Sequence, residues 1–301
     1  MEGARAESRR ALLVGLFCYF VWGLTPALFI AMGEAGASSW EILAHRALWS
    51  SPWAGALVLM ARQGGQVREV FRSPRRLAWL ALSAAMISSG WAVFVWSVNN
   101  GRNLEASLGY YIAPLFTMAA GAIFWRERID RFGAAAIALA AIGVALQALA
   151  LGHAPLISLF LAVTFWGYGL IRKQIDVDAQ TGLFVETLLM GPPALVYVIW
   201  LHHSGGGVFA RSLHASLLLA IAGPATVAPL AMFAWTARRL SFAAFGFLQF
   251  ISPTLGFLIG LAVGERLDAL GVVSFLFIWA GSGVFILGAW RAWRRSAPLA
   301  A

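Results

Sequence analysis

Four stretches of this chain, residues 11–31, 77–98, 132–152 and 269–290, contain no aspartate, glutamate, lysine or arginine. At about 1.5 Å per helical residue, each is long enough to cross a hydrocarbon layer of about 30 Å. Of the 301 residues, 60% are apolar and only 12% are charged, against roughly 25% charged in ordinary soluble domains. A soluble core cannot hide that much apolar surface.

Apolar runs punctuated by charge, glycine or proline predict ten helices, near 11–32, 39–61, 77–98, 106–125, 132–151, 155–171, 182–201, 215–237, 241–263 and 269–290. The expected fold is an all-α polytopic membrane protein with ten transmembrane helices arranged as two inverted five-helix repeats. The repeats span 11–151 and 152–292, between tails at 1–10 and 293–301. The second and seventh spans are the weakest, because Glu41, His45 and Arg46 occupy one and Glu186 the other. Arg5, Arg9 and Arg10 before the first run resemble a signal-peptide n-region, but the run exceeds the roughly 7 to 15 residues of a signal h-region. It is expected to be a retained helix.

With the N-terminus inside, eighteen of the 22 basic residues fall in inner loops and tails. Arg102, Arg211 and Arg266 lie outside, and Arg46 lies within a helix. This asymmetry places both termini in the cytoplasm. It also accounts for the net charge of +9 and pI near 10.9 without a nucleic-acid partner. The expected partners are a small-molecule substrate and the lipid bilayer, and an oligomer is possible but not implied. Reporter fusions after Arg76 and Lys173 are expected to read cytoplasmic, and one after Gly206 periplasmic. A periplasmic signal at Arg76 contradicts the ten-helix count.

The halves resemble each other in sequence. Glu127-Arg128-x-Asp130-x-x-Gly133 is answered by Glu265-Arg266-x-Asp268-x-x-Gly271, Ile112-x-Pro114 by Ile251-x-Pro253, and Trp22-Gly23 by Trp166-Gly167. Five helices is an odd number, so the second copy enters the membrane the other way up.

Several longer motifs are also present. They are Trp22-Gly23-x-x-Pro26, Glu41-Ile42-Leu43-x-His45-Arg46-x-x-Trp49-Ser50, Asn99-Asn100 with Leu104-Glu105-Ala106-Ser107-Leu108-Gly109-Tyr110, Tyr168-Gly169-Leu170-x-Arg172-Lys173, and Ala179-Gln180-Thr181-Gly182 with Glu186-Thr187. With them the chain resembles the RarD family, a branch of the EamA-type, drug/metabolite transporter superfamily. That resemblance implies a ten-helix inner-membrane permease with its site between the repeats. Family names connect it to chloramphenicol.

Candidate substrate-binding residues are His45, Arg46, Trp91, Asn99, Tyr110, Tyr111 and Gln249. His45 and Arg46 lie about 10 to 12 Å along a helix starting at Ser38, a costly depth for a charge. The ordinary alternative is a snorkelling arginine and a packed histidine. Pro114 and Pro253 occupy matched positions and free the carbonyls of Tyr110 and Gln249, which suggests a polar cavity lined by both repeats. Ser88, Trp91, Val95 and Asn99 share one helical face.

Glu41 and Glu186, with Pro114 and Pro253, are candidates for coupling or gating. Ser38-x-x-Glu41 has capping-box spacing, and Arg172 and Lys173 are within reach of Glu186. Gly256, Gly260 and Gly264 form a small-residue stripe suited to close helix approach. The single cysteine, Cys18, has no Cys/His cluster around it, so no disulfide, metal or cofactor is expected.

No Walker A, H-E-x-x-H or G-x-S-x-G motif is present. The leading expectation is a secondary transporter working by alternating access, exporting its substrate, with proton coupling conceivable through Glu186. Its rivals are an intramembrane enzyme using His45 and Glu186, and a non-transporting scaffold. An inverted repeat favours transport over both.

Overall fold

A computed structural model describes residues 2–124, 126, 129–150, 152–240, 242–264 and 269–296. Every regular element among them is helical. The thirteen helices are α1 (Glu2–Gly23), α2 (Thr25–Glu34), α3 (Ser39–Met60), α4 (Gly64–Arg72), α5 (Pro74–Asn99), α6 (Asn103–Phe124), α7 (Arg131–Ala150), α8 (Leu156–Gln174), α9 (Ala179–His203), α10 (Leu213–Ala237), α11 (Phe242–Leu248), α12 (Ile251–Ala262) and α13 (Ala269–Ser296). The Glu-Arg-x-Asp motifs shared by the two halves include Glu127, Arg128 and 265–268, which lie outside the described residues.

Nine helical segments among the described residues are long and apolar enough to cross a membrane. The chain is a multi-pass membrane protein. The expected second span corresponds to α3, which has the length but not the apolarity, since it carries Glu41, His45 and Arg46. It is sheltered among α5, α9 and α10, so a count of ten remains compatible with the structure. By contrast, the spans formed by α7 and α13 are only 28% buried, and Leu149, Ile286 and Leu276 project outward from them. Such all-round apolar helices are at home against lipid.

Helix pairing follows a pattern. α3 packs on α9 and α7 on α13; α6 on α8 is answered by α12 on α1, α5 on α8 by α10 on α1, and α5 on α9 by α10 on α3. Exchanging the first five spans for the last five carries this scheme onto itself.

Two spans are interrupted. The first breaks at Leu24, between α1 and α2, where Pro26 lacks an N–H for the Trp22 carbonyl; the Thr25 hydroxyl donates to that oxygen instead, at 2.6 Å. The ninth breaks at Gln249-Phe250, one turn before Pro253. No matching break occurs at Pro114, where α6 runs unbroken, and the Pro114 side chain lies outside the described ones. Prolines 52, 192, 193, 224 and 229 also sit inside continuous helices, so proline alone does not break a span here.

The short amphipathic helix α4 was not anticipated. It buries Val70 against Leu80, Val177 and Val185, closing the end of the bundle that bears the termini.

Candidate functional site

Both interrupted helices border one internal cavity. Its volume is about 40 Å³, room for about three water molecules. Six of the residues singled out from sequence line it: Arg46, Trp91, Tyr110, Gln249, Pro253 and Gly256. A second, smaller space extends toward Lys173 on the termini-bearing side and shares Phe165 and Gln249 with the first. Between them stands a cluster of rings. Phe165 lies 5.7 Å from Trp22 and 5.5 Å from Phe233, and Phe233 lies 5.0 Å from Phe245 and 5.7 Å from Tyr168, centre to centre. Gln249, at the break of the ninth span, is the polar group common to both spaces, and its Oε1 has no hydrogen-bond partner.

Arg46 is 3% exposed. Its Nε donates to the Thr226 hydroxyl at 3.1 Å, and its guanidinium carbon lies 4.2 Å from the centre of Trp91 and 4.8 Å from that of Phe29. Taking an ion out of water costs several kcal/mol. Two desolvated ring faces at about 2 kcal/mol each and one neutral hydrogen bond at about 1 kcal/mol offset much of that. They leave the N–H groups of Nη1 without an acceptor, an omission worth about 1 to 3 kcal/mol. No carboxylate pairs with this arginine among the described residues.

The other candidates lie elsewhere. His45 stacks on Phe209 at 4.4 Å, beneath the loop joining α9 to α10, and does not line the cavity. Asn99 donates to the Ser39 hydroxyl at 3.3 Å, tying the end of α5 to the start of α3. Tyr111 points away from Tyr110, as successive helical residues do, and bonds Thr254 at 3.1 Å beside Phe250 and Phe275. It joins α6 to α12 and is not a cavity residue.

Glu41 behaves partly as its spacing suggests. The Ser38 hydroxyl accepts from its N–H at 3.2 Å, but its carboxylate accepts from the N–H groups of Val208 and Phe209, at 2.8 and 3.1 Å. It therefore fastens the α9–α10 loop across the end opposite the termini.

Glu186 occupies the other end. It accepts from Ser83 at 2.6 Å and pairs with Arg172 at 3.7 Å, both side chains being 1% exposed. Lys173 donates to the carbonyls of Ala237 and Leu240, the last turn of α10 and the residues just after it. His45 and Glu186 thus sit under opposite ends of the bundle and share no cavity.

The glycine stripe also divides. Gly256 faces Ser107 and Pro26 at ordinary contact distance, on the cavity wall. Gly260 is buried within α12. Gly264 lies beyond the end of α12 with φ +94° and nothing within 4 Å of where a Cβ would be, so it terminates the helix and packs nothing.

Sequence reasoning missed Tyr19, Phe29, Phe94, Asn103 and Phe165, all on the cavity wall, and met Ser107 only inside a longer motif. Aromatic residues inside apolar runs carry no mark separating a cavity wall from a lipid face.

Comparison with known proteins agrees with this architecture. Residues 9–149 match the EamA-like transporter family. An uncharacterized transporter of Vibrio cholerae is 38% identical over 97% of this chain and 97% of its own length. Protein RarD of Salmonella typhi is 41% identical over 94% of this chain and 96% of its own. A solved crystal structure superposes with a TM-score of 0.69 at 17% identity, covering 92% of this chain and 96% of that one. That last likeness speaks to the fold.

Proposed function

Since the chain belongs to the RarD branch of the EamA-like transporter family, and is a membrane transporter of the drug/metabolite superfamily, we propose that it exports a small molecule by alternating access, as a secondary transporter of the bacterial inner membrane. The observation that carries this reading is the line of two spaces meeting at Gln249 and Phe165, with a helix break on each side of the larger one. Irregular backbone at membrane depth is tolerated where it lines such a path.

On this reading the repeats are 11–151 and 152–292, inverted relative to each other, with both termini cytoplasmic. The exchangeable helix pairings support that division. Glu41 latches the outer end through the α9–α10 loop, and the Arg172–Glu186 pair latches the inner end. A cavity of about 40 Å³ excludes a metabolite. Substrate entry therefore requires one latch to open while the other holds. Proton coupling on this reading runs through Glu186 exchanging Arg172 for a proton.

Purified protein in proteoliposomes, offered amphenicols, amino acids and nucleosides, is expected to move at least one class across the bilayer without nucleotide. Accumulation is expected to collapse when ion gradients are dissipated, or never to exceed equilibration. Accumulation in gradient-free vesicles that demands ATP contradicts the proposal.

A further inference from the structure

The cavity contains one formal charge and it is positive. Among the described residues lining it, Arg46 alone is charged. The buried carboxylates of the described spans are engaged elsewhere: Glu41 by the N–H groups of Val208 and Phe209, Glu105 by Arg102 at 3.7 Å, and Glu186 by Arg172 and Ser83. The Arg46 guanidinium is held in place by Trp91, Phe29 and Thr226, so it is positioned before any ligand arrives. Its Nη1 remains without an acceptor.

A buried, prepositioned arginine with spare donors and no counterion is a site for an oxyanion, because its planar fork matches a carboxylate. Seven of the sixteen described lining residues are aromatic, Trp22, Phe94 and Tyr110 among them, and that part of the wall suits a flat apolar body. Gln249 Oε1, like the Tyr19 hydroxyl an unpartnered oxygen of the described wall, would repel a second carboxylate. No second cation lines this cavity.

Resting on the transport reading above, we infer that the substrate is a small organic monoanion whose carboxylate pairs with Arg46 and whose apolar body occupies the aromatic part of the cavity. Opening the cavity admits it, and the ion pair is formed only when it binds.

The test uses matched carboxylate and amide pairs, acetate with acetamide, phenylacetate with phenylacetamide, and indole-3-acetate with indole-3-acetamide. Binding to the full-length protein in phosphatidylcholine nanodiscs is measured by titration and thermal shift at neutral pH. In at least one pair the carboxylate is expected to bind roughly 10- to 150-fold more tightly than its amide. Arg46→Gln is expected to collapse that ratio to near one while melting no lower than the parent, since it removes an unpaired buried charge. Arg46→Lys is expected to keep the preference for the anion.

Equal binding of carboxylate and amide in every pair, or no binding of any, overturns the inference. So does an Arg46-dependent thermal shift produced by phosphatidylglycerol and by none of the carboxylates, which assigns the arginine to lipid. Transport of neutral solutes alone in proteoliposomes overturns the anion and leaves the transporter standing. Arg46-dependent carboxylate binding with no flux overturns the transporter and leaves the site.

Discussion

Replacing Arg172 by leucine is expected to destabilise the folded protein by about 3 to 5 kcal/mol, because it leaves Glu186 charged and uncompensated in the interior. Both side chains are 1% exposed, and Ser83 is the one hydrogen-bond donor that remains to the carboxylate. Glu186→Leu is expected to cost a similar amount for the converse reason, with the guanidinium losing its one described carboxylate and keeping the Ala179 carbonyl, at 2.8 Å. Changing both residues to leucine at once is expected to recover much of either loss, since a buried pair replaced by apolar groups of like size is often neutral. Thermal unfolding of the detergent-purified variants, taken as a double-mutant cycle, measures the coupling. Single losses below about 1 kcal/mol would place the two groups in solvent or apart. At 3.7 Å the contact of Arg172 Nη1 with Glu186 is an ion pair without a hydrogen bond, and neither Nε nor Nη1 has a hydrogen-bond partner among the described residues. On the transport reading proposed above, an incompletely satisfied pair of this kind is expected to be breakable, as a latch must be.

What the sequence revealed follows from which signals a bilayer amplifies. Lipid forbids charge and unsatisfied backbone, so the charge-free runs marked the spans directly; eight of the ten expected spans correspond to one helix each, and the first and ninth to an interrupted pair. Arg46 was legible for the same reason, as a charge too deep to be casual. Helix breaks were not legible from proline, because intramembrane prolines mostly leave their helices continuous here. Pro26 marks a break only together with the Thr25 hydroxyl that takes the freed carbonyl. The sides of helices were the other gap. Tyr110 and Tyr111 are neighbours in sequence, yet one faces the cavity and the other bonds Thr254 behind it. In a span apolar on every face the 3.6-residue period has no contrast to display, so the cavity wall cannot be told from the lipid face.

Close helix contacts were legible only in part, and the largest of them carries a sharp expectation. The stripe noticed in sequence was Gly256, Gly260 and Gly264, whereas the most extensive described helix pairing joins α7 to α13. A Cβ at Gly143 would stand 2.6 Å from Ile278 Cγ1 and 2.7 Å from the Ser274 carbonyl oxygen, and one at Gly281 would stand 2.8 Å from the Ala136 carbonyl oxygen. Ser274 donates to the Gly143 carbonyl at 2.8 Å, a bond that only such an approach permits. Lipid tails are as apolar as leucine, so no hydrophobic force drives these two helices together, and the seam depends on packing and that hydrogen bond. Gly143→Leu is therefore expected to cost well over the roughly 1 to 3 kcal/mol of ordinary overpacking, because the obstacle is backbone and cannot rotate aside. Gly283→Leu supplies the control on the same helix, since a Cβ there meets nothing within 4 Å. Size-exclusion profiles and melting of the purified variants are expected to show Gly143→Leu aggregated or absent and Gly283→Leu like the parent. If Gly143→Leu assembles normally, α7 and α13 do not approach this closely in the membrane.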